Sequence, residues 1–118
     1  MDSSVQAAVL LLEDQALVAL YVEELLQQAG FEHIATYSSC AAAKEWLQEN
    51  TPKLAIIETR VRDGACDGIA AALAQKGIPF VVHSGECAGR AKMPEKCRWI
   101  EKPCDPEEFL EAIKVCSH

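Results

Sequence analysis

Three carboxylates, a hydroxyl and an ammonium stand at the ends of short apolar runs in this sequence. AVLLLED carries Glu13 and Asp14 directly after its apolar residues, LAIIE ends on Glu58, FVVHS ends on Ser84, and RWIEK brings in Lys102 just past the last run. If those runs are parallel strands of one sheet, all five groups meet at the strands' C-terminal ends, where open α/β sheets hold their sites. Three acids that close together repel and raise one another's pKa values unless a cation joins them. An all-oxygen set suits a hydrated Mg²⁺ better than zinc or copper.

The elements that must position these groups are legible from periodicity. Five apolar stretches, Ala8–Leu12, His33–Tyr37, Leu54–Ile57, Phe80–Val82 and the less clear Arg98–Ile100, are each too short for a helix and read as strands. Between them, Leu17, Val18, Tyr21, Val22, Leu25, Leu26 and Ala29 repeat at helical spacing up to Gly30, a common residue just past a helix end. A second helix opens near Ser38 or Ser39 with Cys40, Ala43, Trp46 and Leu47 on one face, and a third, capped by Asp67, stops at Gly77. Asp105-Pro106-Glu107-Glu108 combines an N-cap acid, a proline at the first helical position and a reciprocal glutamate, so the last helix starts there. The fourth connection, GECAGRAKMPEKC, has two glycines, a proline and little periodicity, which predicts a short helix or a loop. Strands alternating with helices demand crossovers and hence a parallel sheet with helices on both faces.

Composition bounds the rest. The chain has 118 residues, half of them apolar, enough for one domain over residues 1–118 with a buried core. Acids outnumber bases 18 to 11, and the net charge of -7 repels a phosphate backbone, which argues against direct nucleic-acid binding. Val5–Leu12 is apolar apart from Gln6, but no basic segment precedes it and acids follow, so neither a signal peptide nor a membrane span fits and a cytoplasmic location is expected. Six cysteines form no C-x-x-C pair and the three histidines have no zinc spacing, so reduced thiols are the default. No glycine-rich phosphate loop follows the first strand, which disfavours a nucleotide-binding enzyme.

Taken in order, an acid pair after strand one (Glu13-Asp14), an acid after strand three (Glu58), a hydroxyl after strand four (Ser84) and a Lys-Pro pair after strand five (Lys102-Pro103) resemble the receiver domain of two-component response regulators over nearly the whole chain. The resemblance implies a flavodoxin-like (βα)5 fold with strand order 2-1-3-4-5, no enzymatic role, and a histidine kinase, phosphotransfer protein or other signalling protein as partner. It also implies Mg²⁺ on Glu13, Asp14, Glu58 and the main-chain carbonyl of Arg60, with Ser84 and Lys102 serving a transferred phosphoryl group. Trp99, three places before the lysine, falls at the position of an aromatic residue whose rotamer follows the hydroxyl.

The departure is Glu58, which stands where the family has its acceptor aspartate. One extra methylene carries the carboxylate about 1.5 Å further out, and a misplacement of that size can cost about 10²-fold in rate. The same extension aims the carboxylate where a phosphoryl group would lie, within reach of Lys102 and Ser84. The preferred reading is therefore a stand-alone receiver with weakened or absent phosphorylation, held active-like by a Glu58–Lys102 ion pair that would also weaken Mg²⁺ binding. The alternatives are a non-phosphorylated interaction module on the same fold, a substitute acceptor at Asp63 within TRVRDGACDG, and a thiol redox sensor built on Cys66, Cys87 and Cys104.

Overall fold

The computed structural model describes residues 8–85 and 98–116. β1 (Val9–Leu12), β2 (Ile34–Tyr37), β3 (Leu54–Ile57), β6 (Phe80–Ser84) and β7 (Arg98–Glu101) form one parallel sheet in the order β2-β1-β3-β6-β7, the doubly wound order expected from the sequence. Four helices are described: α1 (Ala16–Gln28), α2 (Cys40–Glu49), α3 (Asp67–Gln75) and α4 (Pro106–Cys116). The expectation of a short or partly looped helix between strands four and five lies outside the described residues.

β1 and β3 are apolar at every position, and β6 up to Val82, because both faces of the sheet centre are covered. In β1, Leu10 and Leu12 join Ala43 and Leu47 of α2 and Ile69, Ala70 and Leu73 of α3 in one core. Val9 and Leu11 point the other way, into a second core with Ala19, Val22, Leu25 and Leu26 of α1 and Phe109, Ala112 and Ile113 of α4. Each fully buried leucine or isoleucine of this kind contributes about 1.5–3 kcal/mol relative to an exposed one. Among the described residues no helix is long and apolar enough to cross a membrane.

Local chemistry sets the helix ends. Ser39 Oγ accepts the Ala42 N–H at 3.2 Å to cap α2, and Asp105 Oδ1 accepts the Glu108 N–H at 2.9 Å to cap α4. Gly30 and Gly77, with φ of 98° and 72°, take the left-handed turns that follow α1 and α3. Asp67 is not the cap of α3 as expected but its first residue; Cys66 holds the N-cap position.

Two readings of local shape are corrected. The loop after β3 closes on itself as an antiparallel hairpin of β4 (Arg60–Val61) and β5 (Gly64–Ala65). The apolar face of α1 is not all core: Leu17 and Tyr21 are 81% and 41% exposed. They belong to the first turns of the helix, where, with Val18, they rim a cavity shared with His83 and Pro103 rather than packing over the sheet.

Candidate functional site

The site is placed by the backbone ladder continuing one residue past the strands. The Glu13 N–H donates to the Tyr37 carbonyl at 3.0 Å, the Glu58 N–H to the Leu12 carbonyl at 3.1 Å, and the Lys102 N–H to the Ser84 carbonyl at 2.9 Å. Those three bonds fix Glu13, Glu58 and Lys102 at the same end of the sheet before any side chain interacts.

The side chains then converge. Lys102 Nζ donates to Glu58 Oε2 at 2.7 Å and to Glu13 Oε1 at 2.8 Å. Glu58 Oε1 accepts the Thr59 N–H at 2.7 Å and the Thr59 hydroxyl at 3.2 Å, while Glu13 Oε2 accepts the Gln15 N–H at 3.1 Å. The hydroxyls of Thr59 and Ser84 lie 2.9 Å apart, and both residues are buried. One ammonium thus bridges two carboxylates whose remaining oxygens are held by amides and a hydroxyl.

The electrostatics follow from this geometry. Burial pushes the Glu58 carboxyl up, but hydrogen bonds from Lys102, Ser84 and the Thr59 amide, with the lysine's charge, outweigh it and hold the group below the usual carboxylate value. Burial likewise works against the Lys102 ammonium, and the bonds to Glu13 and Glu58 more than offset it, leaving its pKa raised.

Asp14, Glu58, Arg60, Ser84 and Lys102 all line one open cavity of about 370 Å³. Trp99 is half-buried and packs against the core on the α2–α3 side of the sheet. Asp63 lines a different cavity; its carboxylate accepts the Cys40 and Ala41 N–H groups at 2.7 and 3.0 Å, which caps the start of α2 and holds its pKa down. Thr59 is a contact the sequence reading missed. Its only signal there is a hydroxyl residue directly following the acid at the strand end.

No family model matches the chain. It is 27% identical over 121 residues to the transcriptional regulatory protein PdtaR of Mycobacterium tuberculosis, a match covering 97% of this chain and 58% of that protein. The chain therefore spans a little over half the length of the curated relative. The crystal structure of a response regulator receiver protein from Sinorhizobium medicae WSM419 superposes with a TM-score of 0.84 at 23% identity, covering 94% of both chains. This chain has the response-regulator receiver fold. The signal receiver domain of an HD domain-containing protein from Pseudomonas fluorescens Pf-5 gives a TM-score of 0.82 at 19% identity, again over 94% of both chains.

In this chain the acid set does not fit a divalent ion. Lys102 lies between Glu13 and Glu58, and every oxygen of those two carboxylates already accepts a hydrogen bond. Among the described residues no three acidic, histidine or cysteine side chains are arranged to hold a metal ion. The lysine supplies internally the positive charge that clustered acids require. Thermal melting with Mg²⁺ in millimolar excess and with EDTA is expected to give the same Tm, since a ligand that bound only the folded state would raise it.

Proposed function

We propose that this chain is a receiver-fold signalling module whose phosphoryl switch is replaced by a standing ion pair and whose output is the binding of another signalling protein. The observation that carries the reading is the 2.7 Å contact between Lys102 Nζ and Glu58 Oε2. An aspartate acceptor needs a free oxygen for in-line attack on phosphorus and a lysine free to neutralise the incoming oxygens. Here the glutamate's longer side chain reaches that lysine itself, and its other oxygen is held by Thr59. The carboxylate then stands in for the modified acceptor, and the module signals one state.

Two features support protein binding as the output. The charge of -7 works against a nucleic-acid partner. Leu17, Leu20 and Tyr21 of α1 are exposed by 81%, 60% and 41%, an apolar strip of the sort that marks contact surfaces. A histidine kinase, a phosphotransfer protein or a downstream regulator is the class of partner proposed, in keeping with the relative's name as a transcriptional regulatory protein.

The deciding experiment is intact-protein mass after incubation with acetyl phosphate and Mg²⁺, with peptide mapping. No phosphoryl adduct is expected on the parent chain, and one is expected at position 58 of Glu58→Asp, whose shorter side chain withdraws from Lys102. An adduct on the parent at Glu58 or Asp63 would restore the conventional switch and overturn the proposal.

A further inference from the structure

Away from the Glu58 cluster, two thiols touch. Cys40, the first residue of α2, and Cys66, the N-cap of α3, have their sulfurs 3.6 Å apart. The sequence groups Cys66 with Cys87 and Cys104 as thiols of three loops; the structure instead seats Cys66 in the core and faces it with a thiol from another helix. Cys66 is fully buried, whereas Cys40 is half-buried and lines a cavity of about 460 Å³ between α2 and α3. One sulfur is thus reachable from solvent and the other is shielded behind it.

We infer that Cys40 and Cys66 form a reversible intramolecular disulfide on exposure to hydrogen peroxide, a modification site that ties α2 to the hairpin and α3. In the first step the Cys40 thiolate attacks one peroxide oxygen, the O–O bond breaks, and the other oxygen leaves as water after protonation. The Cys66 sulfur then attacks Cys40 Sγ, forming the S–S bond and expelling the sulfenic oxygen as a second water. Two thiols lose two electrons and two protons, and the peroxide becomes two waters. Bonding requires the sulfurs to close from 3.6 Å to about 2 Å.

Three arrangements assign the order of attack and the consequence. Only Cys40 is open to a small oxidant, so it is the attacking thiol and Cys66 the resolving one. The Cys40 thiol also lies 3.5 Å from the Ala65 carbonyl, so it already faces the segment it would be tied to. Cys66 donates its N–H to the Thr59 carbonyl at 2.8 Å, which attaches the crosslink to the residue that holds Glu58 Oε1.

Both thiols ionise reluctantly. Burial pushes Cys40 up, its hydrogen bond with the neutral Cys66 thiol partly opposes this, and the carboxylates of Asp63 on the hairpin and Asp67 on α3 add to the rise. Burial pushes Cys66 up further, and the charges of Cys40, Glu58 and Asp63 add to that. Lys44 and Lys76 line the same cavity as Cys40 and are its cationic neighbours there. The thiolate is the reacting form, so the crosslinking rate rises about tenfold per pH unit through the neutral range.

The test uses the full chain, reduced, freed of reductant and treated with hydrogen peroxide at pH 7 and pH 8. Remaining thiols are then alkylated under denaturing conditions, and the digested peptides are mapped by mass. A peptide pair joined through Cys40 and Cys66, absent after dithiothreitol and formed about tenfold faster at the higher pH, is the expected result. Recovery of both residues alkylated while other cysteines are oxidised, or linkage of Cys40 to any other cysteine, overturns the inference. A variant with Cys87, Cys97, Cys104 and Cys116 changed to serine must still form the link; if it stays fully reduced, the inference fails.

Discussion

Lys102→Met is expected to lower the free energy of unfolding by about 3–5 kcal/mol, the range for removing one partner of a buried ion pair. The Lys102 side chain is 18% exposed, and those of Glu58 and Glu13 are 12% and 3% exposed, so water does little to screen what remains. Methionine keeps the length and apolar stem of lysine but leaves two carboxylates facing each other. Equilibrium urea unfolding measures the loss, and Glu58→Gln in the Lys102→Met background should return part of it by removing the repulsion. An unchanged midpoint in Lys102→Met would mean that the lysine is solvated and that no ion triad exists.

The same triad sets a pH window. The Glu58 carboxyl is held below its ordinary 4.5, so its contribution is fully present above that value and is lost as pH falls through the folded-state pKa. The Lys102 ammonium is held above its ordinary 10.5, so its contribution is complete below that value and is lost as pH rises through the folded-state pKa. The cost of Lys102→Met should therefore be largest across the neutral range and shrink on acidification, as the stranded carboxylates protonate.

How much of this arrangement can be read in the residues depends on the range of the interaction. The strands are legible because each is a short apolar run, and their parallel pairing because the helices between them supply the crossovers; their order follows only from the resemblance that Glu13-Asp14, Ser84 and Lys102-Pro103 carry. The start of α4 is legible because Asp105 and Pro106 act within one turn. What sequence could not supply is direction. Glu13 reads as half of a metal-binding pair with Asp14, yet it turns to Lys102, 89 residues away in sequence, because the strand ladder brings those two ends together. Asp63 reads as a loose acid at a loop tip, and its role as the cap of α2 depends on a hairpin whose pairing only the folded backbone defines. The apolar residues at the start of α1 have helical spacing, but spacing does not tell where the sheet beneath the helix ends. The contact of Cys40 with Cys66 spans two helices and carries no local signal.

His83 is expected to make the fold acid-sensitive well above the carboxylate range. The residue is 5% exposed, its ring packs edge-on against Phe109 with centroids 5.2 Å apart, and Nε2 lies 4.0 Å from the Cys104 thiol, a weak partner for a cation. Burial, then the charge of Lys102, push its pKa down to about 4 from an ordinary 6.5, with Glu58 opposing. Below the ordinary value the unfolded chain takes up a proton that the folded chain refuses, so stability falls with pH until the folded-state pKa is reached. At about 1.4 kcal/mol per pKa unit, the full loss is about 3 kcal/mol. Urea unfolding between pH 7 and pH 4 should show this slope, and His83→Leu, which keeps an apolar contact with Phe109, should flatten it down to the range where carboxylates begin to protonate. Lys102→Met should raise the His83 pKa, read from its ring proton shifts, because it removes the nearby positive charge. The same slope in the parent and in His83→Leu would mean that His83 is not buried as a neutral ring, and the acid sensitivity would then belong to the carboxylates alone.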